Sequence, residues 1–399
     1  MEGRSYEIIV VGGGASGIAA AISAARKRAS VLLVEKMPRL GKKVLASGNG
    51  RCNLSNDILD SSFYNPEARS LVSSVFLRFG SPSIKDFFEE IGLMMYSDAG
   101  RIFPVTNQSS SVVKVLEIEL RRLAVPVRTE FEVRAISAAG NGFIISSKTE
   151  KLACQKVIVA CGGKSYPALG SDGSSYQFAA KFGHSIIEPV PAAVPLAVKD
   201  PMCHILQGQK ITSRIRVIIE EKDVARTAGD LLFTKYGLSG TAVLDISDVI
   251  SIALNRVKNK DVCLAIDMVP FMEKGALESE IGRRISLGLA GDDLIAGILP
   301  NKFAMAMRNE LRTKDAGFIA GSLKDRRFKV LGTRGWNEAE FTAGGVDNSE
   351  IDEVSLESRL KKGLYFTGEA LDVNGSRGGY NLAWAWASGF VAGEAAANA

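Results

Sequence analysis

Residues 375–389, GSRGGYNLAWAWASG, combine groups that could do chemistry with a backbone that could admit a ligand. Tyr380 could donate a proton to a reduced substrate, whereas Tyr380 and Asn381 could equally be packing and capping residues. Arg377 supplies a positive charge beside them. Glycines allow close approach to the backbone, and the N–H groups that begin a helix attract negative charge. The stretch therefore predicts a binding site at the start of the last helix.

A second glycine-rich turn, GGGASG, follows the apolar run EIIVV near the start of the sequence. Gly12, Gly14 and Gly17 have the GxGxxG spacing, which allows a tight turn, approach of a pyrophosphate and close helix–strand packing, in that order. IAAAISAARKR predicts the helix, and SVLLVE predicts a second buried strand ending at Glu35. An acid at this distance can accept hydrogen bonds from an adenosine ribose. Residues 6–36 therefore predict a βαβ dinucleotide-binding unit.

The loop PRLGKKVLASGNGRCNLSN at 38–56 indicates which dinucleotide binds. A long loop rich in glycine and asparagine suits an elongated ligand such as FAD, although a surface loop can have the same composition. Its candidate contacts are three cations for the pyrophosphate and three small residues for backbone access: Lys42, Lys43, Arg51, Ser47, Gly48 and Gly50. Cys52 in the same loop is either a small buried side chain or a thiol near the cofactor.

Two later strands end in small residues, as the first strand does. KVIVACGGKSYP and LYFTGEA are apolar runs that stop at glycines, and the short strands FEVRAI and GFIISS predict a β-meander before the first of them. Backbone at such strand ends can reach the edge of a cofactor. The residues at these ends are Ala160, Gly162, Gly163, Gly368, Glu369 and Asp372.

The composition is typical of a globular protein, with 399 residues, 46% hydrophobic and 23% charged. A formal charge of +5 does not require nucleic acid, although basic residues cluster at 121–128, 324–334 and 359–362. Five cysteines without a CxxC pair, and the absence of a targeting segment before the first strand, fit a reducing cytoplasm. No apolar run approaches the ~18 residues that could span a bilayer, so no membrane partner is expected.

Several other chemistries are not expected. Neither GxSxG nor a P-loop is present, which argues against acyl and phosphoryl transfer. His184 and His204 lack metal-ligand spacing, so we expect no metal site.

The middle of the chain interrupts the nucleotide-binding pattern. EPVPAAVPLAV at 188–198 predicts an extended crossover, and β-rich alternation followed by helical patterning fills the stretch after it. We expect an α/β fold in which a Rossmann-like FAD-binding domain, a parallel sheet with helices and a β-meander, spans 1–190 and 336–399. Residues 191–335 would form an inserted β-rich substrate domain with a helical subdomain at about 270–325.

Several motifs together give a more specific indication. The chain begins with the order strand, GxGxxG, helix, strand and Glu. It continues with SGNGRCNLSN, GRIFP, GDLLFTKYGLSG, TAGGV and GLYFTGEALDVNG…GGYNLAWA, and these motifs span nearly the whole chain. This pattern resembles the YhiN/BaiN-type NAD(P)/FAD-dependent oxidoreductases, which are flavoproteins with two dinucleotide-binding domains.

The resemblance implies non-covalent FAD and assigns its contacts. Pyrophosphate contacts would be Gly12, Gly14, Ala15, Ser16 and Gly17, and the adenosine contacts Glu35, Lys36 and the backbone of Val133. The flavin would be lined by Ser47 to Cys52 and by Gly379, Tyr380, Asn381 and Leu382. The last helix would then direct its positive end at the pyrimidine side of the ring, which favours the reduced anionic flavin.

The sequence departs from the family pattern at positions that affect the substrate rather than FAD. Lys235 stands where relatives often have histidine, Thr241 where proline is usual, and Cys161 where threonine is usual. Arg377 and Ala383 also differ from the usual residues. Because Lys235 and Arg377 alter charge, the substrate of a relative cannot simply be transferred to this chain.

Three functions remain open from the sequence. The leading hypothesis is a cytoplasmic FAD-dependent oxidoreductase that reduces a conjugated, electron-poor C=C bond of a small molecule. NAD(P)H would donate electrons by binding transiently at the flavin, because no second GxGxxG is present. An RNA-modifying flavoenzyme that reduces uracil in ribosomal RNA is the alternative, and a flavin-binding sensor or assembly protein without turnover is the third. The catalytic residue is not fixed; the candidates are Tyr380, Asn381, Arg377 and Cys52.

Overall fold

The computed structural model describes residues 6–399, which divide into two units. Unit 1 runs to Pro189 and resumes over Phe341–Ala399, whereas unit 2 comprises Val190–Glu340. None of the helices in residues 6–399 combines the length and apolar character needed to cross a membrane.

Eighteen strands and twelve α-helices make up the described chain. The strands are β1 (Tyr6–Val11), β2 (Val31–Val34), β3 (Ser55–Asn56), β4 (Met95–Asp98), β5 (Arg101–Pro104), β6 (Val127–Arg128), β7 (Ala135–Ala139), β8 (Gly142–Ser146), β9 (Lys151–Val159), β10 (Ile186–Ala192), β11 (Leu196–Val198), β12 (Lys210–Ile219), β13 (Lys222–Thr234), β14 (Gly237–Ser239), β15 (Val262–Asp267), β16 (Arg326–Thr333), β17 (Phe341–Val346) and β18 (Leu364–Phe366). The helices are α1 (Ala15–Arg26), α2 (Lys42–Ala46), α3 (Arg69–Arg78), α4 (Ser81–Glu90), α5 (Ser109–Arg122), α6 (Ser174–Lys181), α7 (Pro201–Ile205), α8 (Thr241–Ser251), α9 (Lys274–Ser286), α10 (Lys302–Ala306), α11 (Ala316–Lys324) and α12 (Tyr380–Asn398).

A seven-stranded sheet forms the centre of unit 1. Strands β6, β2, β1, β9 and β18 run parallel, and β9 also continues through β8 and β7 as an antiparallel meander. Val11, Val159 and Phe366 stand in register at the carboxyl ends of β1, β9 and β18. The predicted Rossmann-like fold is confirmed, and the strand ends that the sequence singled out meet at one edge of the sheet.

One strand of the meander is shorter than expected. The sequence predicts a strand over 131–136, but β7 begins only at Ala135. The N–H of Phe131 instead donates to the carbonyl of Glu35 at 2.9 Å, so this segment follows the end of β2 before it joins the meander.

The first and last helices of unit 1 pack directly on each other. An added Cβ on Gly389 would lie 2.1 Å from the carbonyl oxygen of Ser16, so α12 can approach α1 only with glycine there. The Ser23 hydroxyl donates to the carbonyl of Phe390 at 2.7 Å. This packing brings the two ends of the described chain into one core.

A buried histidine fixes the segment between β17 and β18. His184 Nδ1 lies 2.9 Å from a Glu350 carboxylate oxygen, and Nε2 lies 2.7 Å from the Ser358 hydroxyl. That hydroxyl already accepts from the N–H groups of Leu360 and Lys361, so its own proton donates to Nε2. His184 is therefore neutral, with Nδ1–H donating to Glu350.

Unit 2 is built around a closed barrel. Its strand order is β11–β14–β13–β12–β15–β16, and all neighbours pair antiparallel. Helices α8 to α11 pack against the barrel through a shared apolar core that includes Phe233, Phe303 and Phe328. The predicted β-rich insertion with helices is confirmed as the architecture of this part of the chain.

Candidate functional site

The glycines that precede α1 fall into two groups. An added Cβ on Gly12 would lie 2.5 Å from the carbonyl oxygen of Ala160, and one on Gly17 would lie 1.8 Å from that of Gly12. Packing alone therefore requires glycine at both positions. A Cβ on Gly14 would meet no heavy atom within 4 Å, so the space beside Gly14 is open to a ligand.

The start of α1 also offers hydrogen-bond donors. Gly14 occupies the N-cap position without a side-chain cap, and no acidic residue lies in the first turn. In the described chain no capping side chain competes for the N–H groups of Ala15, Ser16 and Gly17, so they are available to an anion. Open space and uncapped donors together fit a pyrophosphate.

Glu35 is held at the end of β2 by backbone donors. Its Oε2 accepts from the N–H of Gly13 at 2.5 Å, and its Oε1 accepts from the N–H of Met37 at 2.8 Å. Each carboxylate oxygen keeps a lone pair for a ribose hydroxyl. Lys36 forms a 2.7 Å ion pair with Asp172, which compensates its charge. Val133, predicted near the adenine, lies buried in the segment before β7.

The loop after α2 adopts an unusual backbone. Gly48, Asn49 and Gly50 have φ of 57°, 55° and 84°, and Cys52 has φ of 61°. Left-handed conformations at two non-glycine residues indicate a backbone held in place by its surroundings. The Ser47 hydroxyl donates to the carbonyl of Val44 at 2.7 Å and so serves this local fold.

The thiol of Cys52 in this loop, and that of Cys161 after β9, are poorly suited to catalysis. Cys52 is fully buried, and burial raises the pKa of its thiol to about 12. Burial likewise raises the pKa of Cys161 to about 12. Both thiols stay protonated at neutral pH, which argues for packing roles. The guanidinium of Arg51 lies 4.6 Å from the centre of the Phe103 ring.

A polar network joins the loop to the strand ends. Lys43 Nζ donates to Glu369 Oε2 and to the Ser165 hydroxyl, each at 2.6 Å. Glu369 Oε1 accepts from the Ser165 hydroxyl at 2.9 Å and from the N–H of Thr342 at 2.6 Å. Lys43, predicted to contact a pyrophosphate, thus compensates the charge of Glu369. An added Cβ on Gly163 would lie 2.5 Å from Thr342 Oγ1, so this glycine is required by packing.

The start of α12 resembles the start of α1 in its donors. Gly379 has φ of 103° and caps the helix without a side-chain hydrogen bond, and the first turn lacks acidic residues. A Cβ on Gly379 would lie 2.2 Å from the carbonyl oxygen of Ser55, so close packing against β3 explains this glycine. The helix begins where the sequence predicts it, and packing alone requires glycine at position 379; the predicted contact with a cofactor stays a prediction.

Tyr380 and Asn381 are held by different contacts. The Tyr380 ring stacks on Phe63 with 4.4 Å between ring centres, and burial raises the pKa of its hydroxyl. Asn381 Oδ1 accepts from the N–H of Gly375 at 2.9 Å, and its Nδ2 donates to the carbonyl of the same residue at 2.8 Å. Asn381 therefore closes the turn before α12, a structural role that the sequence left open.

Asn53 is a site residue that sequence reasoning missed. Its Oδ1 is buried and has no hydrogen-bond partner within the described chain. It lies beside the start of α12, 2.8 Å from the position of an added Cβ on Gly379. An unpaired buried acceptor next to uncapped helix donors fits a planar ring that offers both an N–H and carbonyl oxygens, as the flavin ring does. The asparagine-rich loop was the only signal that could have indicated it.

The remaining predicted residues also lie in unit 1, at strand ends or around the start of α12. They are Ala160, Gly162, Gly368, Asp372, Arg377 and Leu382. The structure thus collects every predicted cofactor contact in a single unit. It adds Asn53, Ser165 and Thr342, of which Ser165 and Thr342 reach the site only through the network around Glu369.

A Rossmann-like unit whose first and last helices both have uncapped N-termini fits the class of FAD-dependent oxidoreductases, and the comparison with known proteins shows that class. The family model described as HI0933-like protein Rossmann domain matches residues 6–395, and the chain belongs to that family.

Individual proteins extend this comparison. The chain is 37% identical to 3-dehydro-bile acid delta(4,6)-reductase of Clostridium scindens, over 97% of this chain and 98% of that protein. It is 28% identical to ribosomal RNA dihydrouridine synthase of Escherichia coli, over 97% and 96%. Among solved structures, the chain superposes on 3-ketosteroid delta1-dehydrogenase from Sterolibacterium denitrificans with a TM-score of 0.53 and 13% identity. The alignment includes 99% of this chain and 100% of the dehydrogenase chain, so the two share a fold.

Proposed function

We propose that the protein reduces a C=C bond conjugated to a carbonyl group in a small molecule, with NAD(P)H as the electron donor. The observation that carries this proposal is the full-length, 37% identical relative named as a delta(4,6)-reductase. That name denotes reduction of C=C bonds in a 3-oxo compound, where the carbonyl withdraws electrons from the bond.

Different residues of unit 1 would bind different parts of FAD. The open space at Gly14 and the donors of α1 suit the pyrophosphate, and Glu35 suits the ribose. Asn53 and the start of α12 suit the pyrimidine edge of the ring. FAD held there would supply the redox chemistry, the transfer of hydride between a donor and an electron-poor bond. The positive end of α12 would favour negative charge on the ring beside it.

The second hydrogen of the reduction must arrive as a proton. Tyr380 lies at the start of α12, and its raised pKa keeps the hydroxyl protonated at neutral pH. We assign it as the proton donor to the substrate carbon next to the carbonyl group. Cys52 is not assigned a step, because its buried thiol is held in the loop backbone.

The donor and the compartment complete the proposal. Because the sequence has one GxGxxG, NAD(P)H would bind transiently at the flavin rather than in a domain of its own. The five cysteines are all unpaired, which supports a reducing compartment such as the cytoplasm.

The test is an anaerobic two-step reduction. The FAD-loaded protein is mixed with NADH or NADPH and the flavin absorbance is followed, and a 3-oxo-4-ene is then added. We expect bleaching by one nicotinamide and recovery of the absorbance on addition of the enone. A protein that bleaches with neither nicotinamide would point to a sensor, and one that bleaches but does not reoxidise with any enone would contradict the proposed reaction.

Reduction of uracil in ribosomal RNA is the second candidate, favoured by the full-length relatives named as ribosomal RNA dihydrouridine synthases. Dihydrouridine is uridine whose conjugated C=C bond has been reduced, so the chemistry is of the same kind. The basic clusters offer this reading little support, because Arg128, Arg326 and Arg334 are paired with carboxylates at 2.7–2.8 Å. Filter binding of ribosomal RNA across a salt series distinguishes the two candidates, since an RNA enzyme would bind with a steep salt dependence.

A further inference from the structure

An open cleft of about 590 Å³ lies on the barrel of unit 2, where the end of β11 meets α7 and the β13–β14 turn. Its walls include Val198, Lys199, His204, Lys235, Tyr236 and Leu331. A volume of this size is in the range of small-molecule sites. The cleft belongs entirely to unit 2 and shares no residue with the predicted FAD contacts.

The cleft has an excess of positive charge. Among residues 6–399 no carboxylate forms an ion pair with Lys199 or Lys235, and His204 adds a third basic side chain. Asp200 is the acidic residue of the lining, but its Oδ1 accepts from the N–H of Met202 at 2.8 Å and its Oδ2 lies 3.6 Å from the Arg326 guanidinium. The lysine charges are thus available to a ligand.

One wall of the cleft is apolar, and it lies where the pairing of two barrel strands is irregular. The pairing of β11 with β16 shifts register between Ala197 and Val198, and Leu331 of β16 is 58% exposed. Bulges of this kind redirect side chains next to functional sites. The Tyr236 ring is fixed beside it, because the Arg334 guanidinium lies 4.5 Å from the ring centre and the Tyr236 carbonyl accepts from the N–H of Val198.

We infer that this cleft binds an amphipathic small molecule, with its anionic end at Lys199 and Lys235 and its rigid apolar body against Leu331 and Tyr236. A free inorganic anion would leave the apolar wall unused. An RNA backbone would need cations arranged along a track rather than around one cleft. The chemical class is therefore an organic anion with an apolar body.

The test measures binding directly by titration calorimetry on the FAD-loaded protein. Its result does not depend on whether the proposed reaction is correct. The probe is cholate, a rigid amphipathic carboxylate, and methyl cholate is its uncharged counterpart. We expect Lys235→Gln to weaken cholate binding roughly threefold to tenfold, the range for the net contribution of one typical hydrogen bond. Lys235→Arg should restore most of the affinity, and Leu331→Asn should weaken cholate without changing the melting temperature.

Lys222→Gln is the matched control, because it removes an exposed lysine at the opposite end of β13 from Lys235, outside the cleft. Equal affinity for cholate and its methyl ester would overturn the inference, as would equal loss in Lys222→Gln and Lys235→Gln. Displacement of cholate by equimolar inorganic phosphate, or by a ribosomal RNA fragment, would assign the lysines to a different ligand and would also overturn it.

Discussion

Gly14 and Gly17 lie three residues apart in one turn, yet substitutions at the two positions should have different effects: one on cofactor binding and the other on the stability of the fold. A Cβ on Gly17 would lie 1.8 Å from the carbonyl oxygen of Gly12, far inside the distance of about 3 Å that real contacts keep. Gly17→Ala must push α1 away from the turn, and we expect it to lower the free energy of unfolding by ~3 kcal/mol or more. A Cβ on Gly14 meets no heavy atom, and the backbone there has an ordinary φ of −81°.

Gly14→Val should therefore leave the apoprotein almost intact. Loss of a favourable N-cap residue costs about 1 kcal/mol at most. The isopropyl group would occupy the space assigned to the pyrophosphate and would cost two or more hydrogen bonds to a charged group, ~1.5–3 kcal/mol each. Together these predict FAD binding weakened by roughly a hundredfold or more.

Apoprotein prepared by removal of the flavin provides the assay. Thermal melting of the apoprotein reports the fold, and quenching of FAD fluorescence on titration reports the site. Gly14→Val should melt close to the parent but fail to quench, whereas Gly17→Ala should melt early. If Gly14→Val quenched FAD as tightly as the parent, or if its apoprotein melted as early as that of Gly17→Ala, the space at Gly14 would not be the pyrophosphate site.

Four further outcomes are expected. Burial lowers the pKa of His184 below 6.5, so protonation favours the unfolded chain. The contribution of His184 to the free energy of unfolding should therefore be complete above pH 6.5 and should decrease as the pH falls below it. In urea melts, His184→Phe should remove this pH dependence and should lower the free energy of unfolding by about 1–3 kcal/mol. Lys43→Gln leaves the half-buried Glu369 without its cation and should lower the free energy of unfolding by about 1 kcal/mol. The double variant Lys43→Gln/Glu369→Gln should recover part of this loss in the same urea melts. Asn53→Ala should leave the melting temperature of the apoprotein unchanged but weaken FAD about tenfold, the cost of one buried hydrogen bond, in the fluorescence titration. Tyr380→Phe should lower the rate of flavin reoxidation by the enone roughly a hundredfold, the range of general acid catalysis, with no change in reduction by the nicotinamide; an unchanged reoxidation rate would remove Tyr380 from the mechanism.

The part of the site that the sequence predicts is the part made of backbone. Gly12, Gly14 and Gly17 follow from strand and helix geometry, and Glu35 follows from the length of the second strand, so spacing alone specifies them. These features are local in the chain. For the same reason the buried strands β1, β2 and β9 are recognisable from their apolar runs.

The contacts between distant segments could not be predicted in this way. Lys43 and Glu369 are far apart in the sequence, and nothing local indicates that they form an ion pair rather than contact a ligand. The oxygen of Asn53 that is buried without a partner lies beside Gly379, a residue far away in the sequence. Gly379 shows a related difficulty, because its position predicts ligand approach whereas close packing against the carbonyl of Ser55 is by itself enough to require glycine there.

The packing of α12 on α1 has a consequence for the order of events during translation. Ser23 and Phe390, which join the two helices, are 367 residues apart along the chain. The ribosome therefore synthesises α1 long before α12. The alanine-rich face of α1 cannot pack on α12 until the whole of unit 2 has been synthesised. We therefore expect the complete cofactor site, to which the start of α12 contributes, to form only after the end of the chain has been made.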